Sequence, residues 1–512
     1  MEQAKSKDDS RTIRWQLLLR VELVLIVMWV VLRLIPVVKE SGSVGAVNLA
    51  FLALNGGFLV VWLVFFSGLS PGPRLTGAAF ALLLPAMVKV DGHTGSFFPQ
   101  FSWRWTKTSA TELPELTGKM ALEGALLAAA GEADFPRFLG SQMNNHVSGT
   151  QLPEGWFDRK PKEIWRRSLG EGWSSFAVVG GFAFTMEQRG QLETTLCYEL
   201  KTGKPVWVHQ EEVRFEESMG DDGPRSTPTV SDGRVVSLGA TGILNCLDAR
   251  TGKVIWGKDV LAAVGHDVPQ WAKSGSPLVV DGKVVVTLGS KAEKNLAAFE
   301  VATGKLVWRS GDYPSSYASP VVAELAGKRQ IVALQQTSVD GYDLESGAIL
   351  WSFPIGNAQS NCASPMIVDD TVITSGGYGY GTHRIQIIRN GDDFEAKELW
   401  HSRKLKAKFA DLLVHQGHLY GLNEGRMVCL DLEDGKAAWR GSNFGHGQLL
   451  GVGDHAIIQH EDGAISVMAL NSDQETIVNE FEALDHRTWN HPVVAGNFLL
   501  LRNDREAIAF EW

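Results

Sequence analysis

The sequence predicts an all-β fold, an eight-bladed β-propeller of four-stranded blades, preceded by N-terminal transmembrane helices. Three observations lead there. A tryptophan-ended motif recurs at intervals of 39 to 52 residues, a second set of Pro and Asp-Gly strand signals lies upstream of its copies, and the first 90 residues hold long apolar runs. A period in the forties with strand patterning is the mark of a propeller.

Composition sets the bounds. Of 512 residues 44% are apolar and 21% charged, and 48 Lys+Arg against 58 Asp+Glu leave a formal charge of −10. Neither a disordered polar chain nor a basic nucleic-acid binder has that balance. The 54 Gly and 17 Trp fit many tight turns and one large ring used repeatedly. Four Cys without a C-x-x-C spacing offer no zinc or c-type haem ligation. Cys197, Cys246 and Cys429 share one strand position and read as small buried residues, while Cys362 stands apart.

The membrane segments come first in the chain. Residues 15–38 are apolar except for Arg20, Glu22 and Arg33, residues 44–67 carry no charge, and residues 75–90 form a shorter third run with Lys89 near its end. At about 1.5 Å per residue such runs match a hydrocarbon core of about 30 Å. Several long runs back to back read as an anchor and not as a cleaved signal peptide. Lys5, Lys7, Arg11 and Arg14 precede the first run and Arg74 lies in the second loop, so residues 1–14 are expected as a cytoplasmic tail. Three crossings would place the remainder on the periplasmic side of an inner membrane; two would leave it in the cytoplasm. Residues 91–162 form a connector, with a short amphipathic helix expected over Thr111–Ala130 and Asp134-Phe-Pro-Arg-Phe expected to clamp onto the next domain.

The repeats occupy residues 163–512. Cys197 to Trp207, Cys246 to Trp256, Ala298 to Trp308, Gly341 to Trp351 and Cys429 to Trp439 align without gaps, and Trp165 and Trp400 fill the same slot. Each copy has an acid (Glu199, Asp248, Glu300, Asp343, Asp431) that can accept N–H bonds from the following turn, then a glycine (Gly203, Gly252, Gly304, Gly347, Gly435) supplying the positive φ of a tight hairpin. Four residues on, the indole is expected to pack across to the neighbouring sheet and bond there. Thr227-Pro, Ser276-Pro, Ser319-Pro, Ser364-Pro and His491-Pro open the inner strands, which are expected near Ser175, Thr227, Ser276, Ser319, Ser364, Asp411, Leu449 and His491. The last unit ends at Trp512 with Glu511 in the acidic slot and lacks an outer strand, which Glu163-Ile-Trp165 is expected to supply, closing the ring and removing a sheet edge.

These repeats resemble the tryptophan-docking repeats of the PQQ-like (pyrroloquinoline-quinone-like) β-propeller family, which holds BamB-like assembly scaffolds and quinoprotein alcohol dehydrogenases. The membrane-anchored layout is similar to that of planctomycete-type bacterial members. The dehydrogenase branch implies PQQ with calcium, a disulfide between adjacent Cys and a catalytic Asp. No Cys-Cys pair exists here and no acid matches the catalytic one. BamB-like lipoproteins carry an N-terminal lipidated Cys, whereas the first Cys here is Cys197.

Other chemistry is thin. His415-x-x-His418 reads as a hairpin surface, Gly445-His446-Gly447 as a loop, and Gly376-Gly-Tyr-Gly-Tyr-Gly381 as a flexible hairpin lacking the Lys-Ser/Thr of a phosphate loop. No catalytic or metal-ligating residue is assigned. The residues just before the inner strands line the mouth of a propeller channel: Trp173, Arg225, Lys273, Tyr317, Asn361, Lys408, His446 and Asn490. Aromatics, amides and cations together suit an anionic or peptide ligand, against the plainer reading of solvated rim residues. The expected function is a membrane-anchored periplasmic scaffold binding an envelope protein, without nucleic acid and without a cofactor. The alternatives are a PQQ-dependent alcohol or sugar dehydrogenase, and a sensor that would need a partner for output.

Overall fold

The computed structural model describes residues 2–34, 44–106, 113, 130–289, 293–356 and 361–512. They fall into two compact units, Met1–Lys107 and Thr108–Trp512.

The first unit holds helices Glu2–Leu34, Val44–Val61 and Pro71–Met87, the second running on into a single π turn at Trp62–Phe66. The indole of Trp29 donates to Asn48 Oδ1 at 2.8 Å and stacks on Phe51, tying the first two helices together. Among the described residues no helix is long and apolar enough to cross a membrane. The expected crossings at 15–38, 44–67 and 75–90 therefore gain no support from these helices. The third also ends early. At Val88 the chain turns into a hairpin, Val88–His93 with Pro99–Trp103, where β-branched residues and Gly92 replace the helix formers before them. The helix expected over Thr111–Ala130 lies almost wholly outside the described residues.

The second unit is a ring of eight antiparallel sheets. Their inner strands are Ala177–Val179, Thr229–Ser231, Leu278–Val280, Val321–Leu325, Met366–Val368, Leu413–His415, Gln448–Val452 and Val493–Ala495, defining blades 1 to 8. All eight begin within two residues of the expected positions. The ring closes as its terminal sequences require: Lys162–Ser168 is the outer strand of blade 8 and pairs antiparallel with Glu506–Glu511.

The acidic turn works by direct hydrogen bonding. Asp248 Oδ1 accepts the N–H groups of Arg250 and Thr251 at 3.1 and 2.9 Å, and Asp343 and Asp431 do the same in their blades. The glycine has a second duty. A Cβ on Gly252, at φ +67°, would lie 2.5 Å from Cε3 of Trp207 in blade 1. Trp165, Trp256, Trp308 and Trp400 sit equally close on Gly203, Gly304, Gly347 and Gly435. Each indole then donates to a carbonyl of that same turn: Trp165 to Leu200, Trp207 to Ala249, Trp256 to Val301, Trp308 to Leu344, Trp400 to Leu432 and Trp439 to Asn471, all between 2.7 and 3.3 Å.

Trp351 departs from this pattern. Its Nε1 donates at 2.6 Å to Gln330 Oε1 in its own blade. Blade 5 lacks the acid-x-x-Thr-Gly turn and carries instead a long hairpin, Gly381–Asn390 with Asp393–Ser402, so there is no turn for the indole to dock on. The expected cross-blade fastener at Trp351 is corrected to an internal brace. Blade 7 differs too. Asn479 pairs with Val467 where a Trp would stand, and its amide donates to the carbonyls of Trp156 and Arg159. Trp156 packs edge-on against Trp512, 4.9 Å between centroids, so the connector covers the seam that lacks its indole.

Cys197, Cys246 and Cys429 are buried, each opposite its blade's Trp.

Candidate functional site

The inner strands are stitched to one another at their starting ends. The N–H of Ser175 donates to Thr227 Oγ1, that of Thr227 to Ser276 Oγ and that of Ser276 to Ser319 Oγ, at 2.9 to 3.0 Å. Farther round, Ser364 N–H donates to Asp411 Oδ1 at 2.6 Å and Ser175 Oγ to the His491 carbonyl at 2.5 Å. The sequence offered the signal, a hydroxyl repeated before Pro, but its bonding role emerges only from the ring. Burial pushes the Asp411 carboxyl up to about 7 against the pull of its Ser364 bonds.

The opposite ends of the inner strands are crossed by the connector. Phe135 bridges Val178 in blade 1, the Pro136 carbonyl accepts Val230 N–H in blade 2, and Arg137 donates to the Val279 carbonyl in blade 3. Asn145 is fully buried, gives its amide N–H to Leu412 at 3.0 Å and accepts from His491 Nε2 at 2.7 Å. His146–Val147 then adds a parallel strand to blade 7. Asp134–Val147 is thus a strap across one end of the channel, leaving the other end as the mouth.

Five of the eight expected rim residues gather at that mouth. Trp173 meets Trp489 at 4.9 Å, Trp489 meets Phe409 at 5.3 Å, and Phe409 meets His446 at 5.4 Å, centroid to centroid. Arg487 lies against both indoles, 5.3 Å from Trp173 and 4.5 Å from Trp489, and pairs with Asp221. Lys408 Nζ sits 4.7 Å from the Tyr378 ring and 5.0 Å from Phe409. Arg225 lies 5.4 Å from the Phe215 ring and donates to the carbonyls of Gly220 and Asp221, both at 2.7 Å. Tyr317 N–H donates to the Asn361 carbonyl at 2.9 Å.

The other three are turned into the walls between blades. Lys273 donates to Thr287 Oγ1 and the Leu288 carbonyl, Asn361 to the carbonyls of Gln335 and Gln336, and Asn490 to that of Ser174. The picture of solvated rim residues is corrected for most of the set: Trp173, Lys273, Asn361, Lys408, His446 and Asn490 are buried. Burial lowers Lys273 to about 7, Lys408 to about 8 and Arg225 to about 10. It also lowers His446 to about 3, with the Lys408 charge adding to the effect.

Sequence reasoning missed Arg487, Trp489 and Phe409, although each lies within three residues of a residue it chose. His446, expected both in a loop and at the rim, stands in the mouth against Phe409. His415 pairs with His418 across its hairpin as expected, and its Nε2 lies 3.4 Å from Asp454 Oδ1. Among the described residues no three His, Cys, Asp or Glu side chains are grouped so as to hold a metal ion.

What the mouth offers is cations and acids framed by rings: Asp221 pairs with Arg487, and Glu461 accepts from Trp489 Nε1 and from the His446 N–H. Cations over aromatic faces are attracted by the ring quadrupole, and a concave, partly dry site strengthens their pull on an anion.

Comparison with known proteins follows the same lines. The family described as outer membrane protein assembly factor BamB matches residues 193–441. The chain is 24% identical over 335 residues to the outer membrane protein assembly factor BamB of Moranella endobia, covering 54% of this chain and 82% of that one. It is 30% identical over 142 residues to a quinohemoprotein alcohol dehydrogenase of Pseudomonas putida, spanning 26% of this chain and only 20% of the relative. Among solved structures it is similar to BamB from Moraxella catarrhalis, with 16% identity and TM-score 0.51 over 69% of this chain and all of that one. A quinohemoprotein alcohol dehydrogenase from Pseudomonas putida gives 14% identity and TM-score 0.56, covering 78% and 83%. At such identities the structural likenesses speak for the fold alone. Repeats, ring and the family match over residues 193–441, just under half of the chain, agree on a PQQ-like β-propeller.

Proposed function

We propose that this protein is a scaffold of the bacterial cell envelope, held at the inner membrane by its helical unit, whose propeller mouth binds an anionic segment of a protein partner on the periplasmic side. The observation that carries it is the convergence of Arg225, Lys408 and Arg487 with the rings of Trp173, Trp489, Phe409 and Tyr378 at one end of the channel. The resemblance to BamB supports a protein partner. Membrane attachment is favoured by the apolar side chains that the helices leave uncovered: Leu19, Leu23, Leu52, Phe65, Leu75 and Phe80 are 57 to 70% exposed. Apolar area in water costs roughly 25 cal/mol per Å², and large uncovered patches mark membrane or protein contacts.

The test is a crosslinking pull-down from intact membranes. The triple change Arg225→Ala, Tyr317→Ala, His446→Ala should lose the partners that the native chain captures while its circular dichroism still reports a folded β-protein. An unchanged set of captured partners would sink the reading.

A second reading, a quinone-dependent dehydrogenase, is favoured by the local identity to quinoprotein alcohol dehydrogenases. The mouth's cations suit the carboxylates of such a quinone. Its calcium needs clustered oxygen ligands, and among the described residues no three His, Cys, Asp or Glu side chains are grouped to supply them. Quinone absorbance and dye-coupled alcohol oxidation after adding PQQ and calcium would favour it over the scaffold.

A further inference from the structure

We infer that the hairpin of Val88–His93 with Pro99–Trp103 lies in the headgroup region of a lipid bilayer, with the face that carries Val90, Phe101 and Trp103 turned into the lipid. This rests on the reading of the helical unit as the membrane attachment and names the part of it that meets the surface. A two-stranded hairpin is marginal in water on its own, and this one is inside out for water. Val88 pairs with Trp103 and Val90 with Phe101, so these four side chains share one face, while Lys89 and Ser102 share the other. The apolar face is the uncovered one: Val90, Phe101 and Trp103 are 46 to 58% exposed. On the polar face Lys89 and Ser102 are half-buried, and Lys89 Nζ pairs with Asp91 Oδ1 at 3.1 Å.

Three observations favour lipid over protein as the cover. The apolar surface does not start at the hairpin. Phe80, Leu83 and Met87 stand on one face of helix Pro71–Met87, all exposed, and the chain passes from Met87 straight into Val88. The Arg104 N–H donates to the Met87 carbonyl at 2.9 Å, which closes the base of the hairpin onto the helix end. Next, the exposed rings include two indoles. Trp103 and Trp105 stack with centroids 5.1 Å apart and 7° between planes, and both are exposed. An indole joins an apolar body to one N–H donor, the combination that gathers where hydrocarbon meets headgroups. Last, Arg104 stands exposed between them in sequence, and a guanidinium matches lipid phosphate. A seat of this kind lies along the surface and calls for no helix long enough to cross.

The full-length chain is reconstituted by detergent removal with vesicles of phosphatidylethanolamine and phosphatidylglycerol that carry a lipid with a photoactivatable diazirine beside its headgroup. Irradiation of the native chain should leave lipid adducts on the peptide containing Phe101 to Trp105. Depth is read in a Cys362→Ser background, where the remaining cysteines are buried, with an environment-sensitive NBD label on Phe101→Cys or on Ser102→Cys. The label at position 101 should shift to the blue and lose about half of its emission to a nitroxide just below the headgroups, within the depth of about 5–10 Å that interfacial elements reach. At position 102 the loss should be much smaller.

Absence of adducts on that peptide would overturn the inference, and this needs no variant. Equal quenching at the two positions would overturn it as well. So would a blue shift at position 101 without nitroxide quenching, which would give the face to a second copy or to another protein. Flotation separates this inference from the reading beneath it. A chain that floats with the vesicles yet shows no lipid contact at the hairpin loses the inference alone; a chain that stays behind loses the membrane attachment with it.

Discussion

The seam between blades 1 and 2 and the seam between blades 4 and 5 join sheets of the same kind by different means. In the first, the Trp207 indole lies on Gly252 and donates to the Ala249 carbonyl of the next blade. In the second, the Trp351 indole bonds within its own blade to Gln330, and Trp351, Phe353 and Leu350 join Val372, Ile385, Phe394 and Ala396 of blade 5 in one apolar cluster. The difference teaches that the fastener belongs to the pair of blades and not to the motif. A Trp in the right slot docks only if the following blade offers a tight turn to receive it, built on glycine for five of the indoles and on Asn471 for Trp439.

The largest expected effect tests that pairing directly. Trp207→Ala removes a buried ring and an inter-blade bond, and large aromatic truncations cost about 3–5 kcal/mol. Trp351→Ala should cost a similar amount in denaturant melts, yet amide exchange should accelerate most around Gln330 in blade 4, the residue its indole bonds. For Trp207→Ala the acceleration should spread into the blade 2 turn around Asp248. Identical exchange footprints would break the comparison.

Gly252→Ala comes next. It forces a Cβ against Trp207 at a positive φ, and strain of this kind costs on the order of 1–3 kcal/mol. Gly391→Ala, in the blade 5 hairpin at φ +70° with open space around it, should cost less because only the backbone term remains. If Gly391→Ala proves the more damaging in thermal melts, the docking role of the glycine is wrong.

The seam between blades 7 and 8 sharpens the argument further. Asn479→Ala should cost about 1 kcal/mol for each hydrogen bond lost and speed amide exchange at Trp156 and Phe157, where the connector covers the missing indole. No change in that segment would mean that the connector is held by Trp156 packing on Trp512 alone.

The last effect is a pH slope. Burial lowers His491 to about 4 in the folded chain, below its ordinary 6.5. The unfolded chain then binds the proton first, so this contribution to stability is present above about pH 6.5 and is lost as pH falls toward 4. His491→Gln should flatten the difference in unfolding free energy between pH 7 and pH 4.5. An unchanged slope would show that His491 titrates alike in both states.

Much of this ring was legible in the residues. The acid, the glycine and the Trp each announce a local requirement, and their period counts the blades. The closing strand was legible as well, because a last unit ending at Glu511 lacks an outer strand that Glu163 to Trp165 can provide. What stayed hidden depends on neighbours distant in sequence. That Trp351 lacks a receiver follows from blade 5, and that Asn471 replaces the acid in blade 7, accepting the N–H groups of Asp473 and Gln474, has no motif to announce it. The strap was visible only as an entry clamp at Asp134, since its partners Val178, Val230, Leu412 and His491 lie 43 to 346 residues away. At the mouth, cations and rings were expected, but their burial comes from blades converging on the channel.

The pairing of Lys162–Ser168 with Glu506–Glu511 carries a kinetic consequence. Bringing together partners so far apart in the chain costs loop-closure entropy that grows with the logarithm of the intervening length. Blades built from local hairpins can assemble one after another during synthesis, but the velcro that makes them a ring must wait for Glu506–Glu511 to emerge from the ribosome. Until then Lys162–Ser168 presents a bare edge, so a chaperone or a slow stretch of translation acting on this protein would matter most at that closing step.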